Sequence, residues 1–168
     1  IQYNSGTLTV QSGSSTTIKA PTLGINETEG INFTATNDPF DKMVAAIGNK
    51  TFESLPKAFE AAVNGDVITL LKDINNTTTD RINCYIKGNI NVTLDGNGKT
   101  ITNKANVVLA FFNNVSGVGS VTVKDLTLIS DDSTSIGTVL QVNANTKVTL
   151  DGCKLDTLHN NKFGAVYM

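Results

Sequence analysis

The 168-residue sequence has few of the side chains that carry most protein chemistry. It contains no tryptophan, a single arginine (Arg81) and a single histidine (His159), and charged residues make up only 17% of the chain. The net charge is −2 without a basic cluster, so the electrostatic footprint of a nucleic-acid-binding protein is missing. No apolar run approaches the roughly 20 residues that cross a bilayer. Candidates for catalytic proton transfer are therefore scarce.

Asn, Thr, Ser and Gly take the place of charged residues, and they accompany a short strand pattern that recurs along the chain. The clearest copy, VTLDGNGKTIT, starts at Val92, and further copies start at Val121 and Val148, with a looser one at Ile68. A repeat of roughly 24 to 29 residues, built from short strands with turn residues between them, is typical of a solenoid.

Two further families of strand patterns follow a similar spacing. In one of them Val139 and Val166 have the same separation as Val121 and Val148. The segments are 107–112, 138–142 and 164–168 for the first family, and 126–129 with 154–156 for the second. Three short parallel strands per turn describe a parallel β-helix, and parallel crossovers are right-handed as a rule. The predicted fold is an all-β, right-handed parallel β-helix.

One helix is predicted, beginning after Ser54. Ser54 is a good N-cap, Pro56 lies in the first turn where its missing N–H costs no hydrogen bond, and Asn64-Gly65 provides a stop. The apolar stripe at helical spacing consists of Leu55, Ala58, Phe59, Ala62 and Val63. Such a helix, placed before the first solenoid strand, is suited to cover the exposed core and strand edges. The alternative is an ordinary helix of an α+β domain.

The composition divides the chain into a leader and a solenoid. Residues 1–42 are rich in Ser, Thr and Gly and carry weak strand patterns, which indicates a leader or linker. Residues 43–168 form the capped β-helix and begin with a hairpin at 43–52. The last strand, 164–168, has no later coil to pair with, so we expect the protein to continue past Met168 or this end to pair with another chain.

Two smaller features follow from the repeats. Asp95, Lys124 and Asp151 stand at the same offset in successive copies, which predicts an outward row of alternating charge. Cys84 and Cys153 stand at different offsets, which favours two small apolar side chains over a disulfide bridge. No His and Cys spacing typical of a zinc site is present, so no bound cofactor is predicted.

Three segments in order resemble the start of a bacterial surface module of the pectate-lyase-like right-handed β-helix family. They are VAAIGNKTF from Val44, NGDVITLLKD from Asn64 after the short helix, and VTLDGNGKTI from Val92. The resemblance covers residues 44–168 and not the leader. It implies a secreted or cell-surface protein with an adhesin-like, carbohydrate-contacting or spacer role, and most such modules have no assigned catalytic role.

The same fold also hosts polysaccharide lyases and hydrolases, so an enzymatic alternative remains. A lyase needs acidic side chains that hold calcium against a substrate carboxylate, and a basic side chain that removes a proton. The candidates are Asp131 and Asp132 with Arg81, and calcium would then be the cofactor. The Asp131-Asp132 pair also fits a solvated turn, and His159 fits a surface loop.

The sequence therefore favours a non-enzymatic, secreted or surface-displayed β-helix module. Its expected partners are a polysaccharide or a cell-surface protein, and neither nucleic acid nor a membrane span is expected. Tyr85, Asp125 and Tyr167 are the candidate contact residues. A third hypothesis is an assembly module that oligomerises through its open C-terminal coil.

Overall fold

Residues 42–133, 137–159 and 165–168 are described by a computed structural model, and they form a β-solenoid of about three turns. By its contacts the chain separates into two units, Ile1–Lys42 and Met43–Met168. Residues 1–41, where the sequence predicts weak strands, lie outside the described residues. The elements are β1 (Ala45–Ile47), β2 (Lys50–Phe52), α1 (Leu55–Ala61), β3 (Val67–Leu70), β4 (Ile74–Asn76), β5 (Ile82–Tyr85), β6 (Asn91–Asp95), β7 (Thr100–Asn103), β8 (Val107–Phe112), β9 (Gly119–Lys124), β10 (Thr127–Ser130), β11 (Thr138–Val142), β12 (Thr146–Asp151), β13 (Lys154–Thr157) and β14 (Val166–Tyr167).

The solenoid strands stack in three parallel sheets. Sheet A has the order β12-β9-β6-β3, sheet B the order β13-β10-β7-β4, and sheet C the order β14-β11-β8-β5. From β3 onward, successive strands of the chain belong to different sheets, so each coil contributes one strand to each sheet. The hairpin β1-β2 extends sheet A, because β1 pairs antiparallel with β3. This arrangement confirms the predicted parallel β-helix.

Alternation of side chains explains why these segments form strands around one core. Along β9 the side chains are alternately buried and half-buried, with Val121 and Val123 inside. Their neighbours Val92 and Leu94 on β6 are also buried, and they lie directly opposite in register. Each apolar position therefore stacks on its counterpart one coil away, and the core is a set of apolar columns.

The register confirms the alignment predicted for Val92, Val121 and Val148 and corrects the one predicted for Ile68. Val121 pairs with both Val92 and Val148, as the starts of these three copies predict. Ile68, however, pairs with Leu94 and not with Val92. A shift of two positions keeps the same side chains facing the core, because strand side chains alternate. The apolar pattern therefore could not distinguish the two alignments.

One prediction for sheet C is also wrong in detail. Val166 pairs with Leu140 and not with Val139; both β11 side chains are buried, so alternation gives no clue there. In sheet B, the polar residues Asn75 and Asn76 belong to β4. Both residues pair with β7, next to the pair that Ile74 forms with Ile101.

Helix α1 covers the N-terminal end of the core, as predicted. Ser54 Oγ accepts a hydrogen bond from the Lys57 backbone N–H at 3.3 Å, which caps the helix. Phe59 is buried, and its ring centroid lies 5.5 Å from that of Phe111 on β8. Within the described chain, this seven-residue helix is the only one, and no helix is long and apolar enough to cross a membrane.

The placement of Val63 in the apolar stripe is wrong, since its side chain is 63% exposed. The helix ends at Ala61, and Ala62 is already extended with φ −65° and ψ 144°. The Val63 N–H then donates to Asp66 Oδ2 at 2.8 Å. This local side-chain hydrogen bond competes with a further helical turn and directs the chain into β3.

The two cysteines are free, as the interpretation of their offsets predicted. Cys84 is fully buried on β5, and this burial raises the pKa of its thiol. Cys153 is only partly buried, between β12 and β13, and its Sγ lies 3.2 Å from the Val123 carbonyl oxygen.

The predicted charge row is present on the outer face of sheet A. Lys124 lies opposite Asp95 on one side and opposite Asp151 on the other. Its Nζ is 2.9 Å from Asp95 Oδ2. The hydrogen bond from Lys124, with a second from the Asn97 backbone N–H, lowers the pKa of Asp95, while the Asp95 carboxylate raises the pKa of Lys124.

Replacing the central aromatic residue of the cap should destabilise the whole solenoid. We expect Phe59→Ala to lower the free energy of unfolding by about 3 kcal/mol, because it removes a buried ring and leaves a cavity. Urea denaturation followed by circular dichroism measures the change. Lys57→Ala, an exposed position of the same helix, is the control and should change the stability by less than about 0.5 kcal/mol. Equal effects of both substitutions would contradict the capping role.

The charge row predicts a pH-dependent stability. Because the folded-state pKa of Asp95 is lowered, its contribution is present above its unfolded pKa of about 4 and is lost as the pH falls through the folded value. Asp95→Asn keeps an oxygen that can accept from Asn97 but removes the charge. We therefore expect wild type to exceed this variant in stability at pH 6 and the difference to shrink below about pH 4. A difference that does not change with pH would show that the ion pair has no role.

Candidate functional site

Aromatic side chains lie next to each other on the outer face of sheet C. Tyr85 on β5 and Phe112 on β8 are opposite in register. Their rings stack with centroids 5.3 Å apart and planes inclined by 24°. Tyr85 is 44% exposed, so part of its ring is presented to solvent although the core begins on the other side of the strand. Stacking on a rigid sheet fixes the orientation of both rings.

Polar groups surround this aromatic pair. The Arg81 guanidinium lies 5.6 Å from the centre of the Phe112 ring, and its Nη1 donates to Gln141 Oε1 at 3.2 Å. Gln141 Nε2 in turn donates to Asn143 Oδ1 at 2.9 Å. These contacts order the side chains of three different coils, because cation–π and hydrogen-bond contacts both restrict the rotamers.

Tyr167 extends the same face to the last described coil. On β14 it lies opposite Gln141, and it is 56% exposed. Coils stack at about 4.8 Å, so the face extends over roughly 14 Å from β5 to β14. We call this set the sheet C surface, and its residues are Arg81, Tyr85, Phe112, Gln141, Asn143 and Tyr167.

The sheet C surface suits binding better than catalysis. It combines apolar ring faces with amide groups and one guanidinium, which together can contact both the C–H and the hydroxyl groups of a ligand. No carboxylate belongs to it, so it lacks the paired acids that glycoside hydrolysis needs. The chemistry it supports is stacking and hydrogen bonding along an extended ligand.

The sequence singled out Tyr85 and Tyr167, and the structure places both on this surface. It missed Phe112, Gln141 and Asn143. The position of Phe112 could have been found, because Tyr85 and Phe112 have the same separation as the repeat starts at Val121 and Val148. The amides carry no such signal, since Asn and Gln side chains also occupy turns and loops throughout this chain.

Asp125, the third candidate contact residue, lies elsewhere. It forms the corner between β9 and β10 with a positive φ of 49°. Its backbone N–H donates to the Asp151 carbonyl at 3.0 Å, and its own carbonyl accepts from the Gly98 N–H at 2.9 Å. These bonds join the corners of three coils, which gives Asp125 a structural position away from the sheet C surface.

The candidate catalytic residues are placed in two different environments. Asp131 follows β10, and its carboxylate lies 3.1 Å from His159 Nε2 and 3.9 Å from Lys104 Nζ. Asp132 is buried, with 2% exposure. Arg81 contacts Phe112 and Gln141 on the sheet C surface. Asp131 therefore contacts a side chain from each of the two neighbouring coils, an arrangement that stacks the loops between sheets B and C.

A cleft of about 230 Å³ lies beside the cap, where the start of α1 faces the first coil. Its walls are largely apolar and include Val44, Leu55, Pro56, Ile74 and Ile82. It contains no titratable pair that could carry out acid–base chemistry. Among residues 42–133, 137–159 and 165–168, no group of three or more His, Cys, Asp or Glu side chains could hold a metal ion.

The stacked coils and the ordered outer face define a parallel β-solenoid protein. No family model, no curated protein and no solved structure matches this chain.

Proposed function

We propose that this chain is a non-enzymatic, carbohydrate-contacting β-helix module of a secreted or cell-surface bacterial protein, and that the sheet C surface is its contact face. The observation that carries the proposal is the stacking of the exposed Tyr85 ring on the half-buried Phe112 ring, with Arg81 and Gln141 beside them. The resemblance of residues 44–168 to pectate-lyase-like surface modules supports the same role.

The physical argument rests on complementarity to an extended sugar chain. One face of a pyranose ring is lined by C–H groups and packs on an aromatic ring, while its hydroxyl groups lie at the edge and need donors and acceptors. The sheet C surface offers both kinds of group side by side. Because the rings are held by strands, little side-chain entropy is lost on binding. A purely structural spacer would need no such ordered aromatic stack with an exposed tyrosine.

Removing an exposed ring should weaken glycan binding. We expect Tyr85→Ala and Tyr167→Ala each to raise the Kd for a bound oligosaccharide about tenfold, since truncation of an aromatic anchor costs above about 1 kcal/mol. A glycan array first selects the oligosaccharide, and calorimetry then measures its affinity. Val118→Ala removes an equally exposed apolar side chain that lies off sheet C, and it serves as the control. Unchanged affinity in both tyrosine variants would show that ligands bind elsewhere.

The enzymatic alternative makes a different prediction. A calcium-dependent lyase releases unsaturated uronide from acidic polysaccharide, and chelation stops the release. We expect no product with calcium or with chelator. Product that depends on calcium and disappears in Asp131→Asn would contradict the non-enzymatic proposal and would assign the chemistry to the loops between sheets B and C.

A further inference from the structure

Two asparagine residues of the chain, Asn64 and Asn97, are directly followed by glycine. An Asn-Gly pair can modify itself, because the backbone nitrogen of the glycine can attack the side-chain carbonyl carbon of the asparagine and close a succinimide ring. Glycine favours this attack, since it has no Cβ beside the nitrogen and restricts the backbone little. Both pairs lie at exposed corners of the solenoid, so water has access to them.

Each pair forms the centre of a tight turn. Residues 63–66 and 96–99, which we call the first and the second Asn-Gly corner, are closed by a hydrogen bond from the fourth N–H to the first carbonyl, at 3.1 and 2.8 Å. The glycine stands third in each turn and has a positive φ, 89° at Gly65 and 70° at Gly98. The turn itself does not use the N–H of its third residue. This N–H belongs to the attacking nitrogen, so its partner outside the turn decides whether the pair can react.

Neighbouring coils bind the attacking group at both corners. The Gly65 N–H donates to the Asn91 carbonyl at 2.7 Å, and the Gly98 N–H donates to the Asp125 carbonyl at 2.9 Å. The nitrogen must lose this hydrogen before it can attack, and a hydrogen held by a carbonyl is harder to remove. Stacking of the coils therefore protects both pairs chemically.

The asparagine side chains are also held, but differently at the two corners. Asn97 Nδ2 donates to the Leu70 carbonyl of the preceding coil at 3.4 Å, whereas the Gly98 N–H is bonded to the following coil. The two reacting groups of the second corner are thus held from opposite sides. At the first corner, Asn64 Oδ1 accepts from the Asn91 N–H at 2.8 Å, so one residue of a single coil holds both reacting groups. Release of that coil is enough to free the first corner.

We propose that Asn64 and Asn97 are latent modification sites, which deamidate only when the coil that covers them separates. After the glycine N–H has given its proton to hydroxide, the nitrogen bonds to the asparagine Cγ. The Cγ–Nδ2 bond then breaks, and Nδ2 takes a proton from water and leaves as ammonia. Water opens the succinimide at either carbonyl and yields aspartate or isoaspartate, without any oxidant or reductant.

Isoaspartate makes the separation of the coils permanent at the second corner. Its backbone runs through the former side chain and is longer by a methylene group, so the turn no longer fits the register of the stack. The second corner has no space for this change, because a Cβ atom added at Gly96 would already lie 2.6 Å from the Leu126 Cα. The modified chain therefore keeps a chemical record of the opening.

Reaction rates in the folded and the unfolded chain test the protection. The protein is incubated at mildly alkaline pH with and without guanidinium chloride, and peptide mapping by mass spectrometry gives the modified fraction at each site and separates aspartate from isoaspartate. We expect both sites to react more than about tenfold more slowly in the folded chain, since the reaction requires local opening. The slowing should be larger at Asn97 than at Asn64, because two coils hold the second corner.

Two variants test whether the opening is local. Leu126 is buried and lies over Gly96, so Leu126→Ala loosens the cover of the second corner. We expect this variant to raise the rate about tenfold at Asn97 and less at Asn64. Phe59→Ala loosens α1, which leads into the first corner, and should show the reverse preference. Circular dichroism verifies that the variants are folded, and Leu126→Val replaces Leu126→Ala if the latter does not fold.

Three outcomes would contradict the proposal. The first is an equal rate with and without denaturant, and the second is an equal increase at both sites in both variants, which would indicate global unfolding. The third is aspartate without isoaspartate as the product, which would indicate direct hydrolysis of the side chain without a succinimide.

Discussion

Stacking of one coil directly on the next is the constraint on which the rest of the structure depends. At the corner after β6, the Gly96 N–H donates to the Lys124 carbonyl at 2.8 Å, and the Gly98 N–H donates to the Asp125 carbonyl at 2.9 Å. A Cβ atom added at Gly96 would lie 2.4 Å from the Asp125 carbonyl oxygen. The corner can approach the next coil this closely only because residue 96 has no side chain. Strands on both sides of the corner are then held in one register.

A fixed register aligns the equivalent residues of successive coils into columns. The side chains of each column then determine the chemical character of that face of the solenoid. Inside, the buried Asn103 donates to the Asp80 and Val108 carbonyls and accepts from the Ala105 N–H, so it satisfies loop groups that would otherwise be left without partners. Outside sheet A, the same stacking aligns acid with base. Outside sheet C it aligns one aromatic ring with another. The proposed contact surface on sheet C therefore follows from the repeat length, which brings its side chains into register.

The sequence predicts this architecture because the repeat is visible wherever apolar and polar residues alternate. Val92, Val121 and Val148 stand in clean alternating strands, and their spacing gives the correct register. At Ile68 an alignment shifted by two positions presents the same faces, and at Val139 and Leu140 both neighbours are apolar, so the pattern is ambiguous. The contact between Arg81 and Gln141 bridges residues in different coils and depends on loop conformation. No periodic pattern in the sequence predicts this contact.

The same logic connects the two ends of the described solenoid to its outer face. In a solenoid each coil is stabilised mainly by its neighbours, so a terminal coil with one neighbour is the least stable part. Helix α1 and the hairpin give the first coil a second neighbour. The last described coil carries Tyr167 on a two-residue strand that pairs only with β11. The length of the sheet C surface is therefore set by how many coils stack in register, since each coil adds one position to every column.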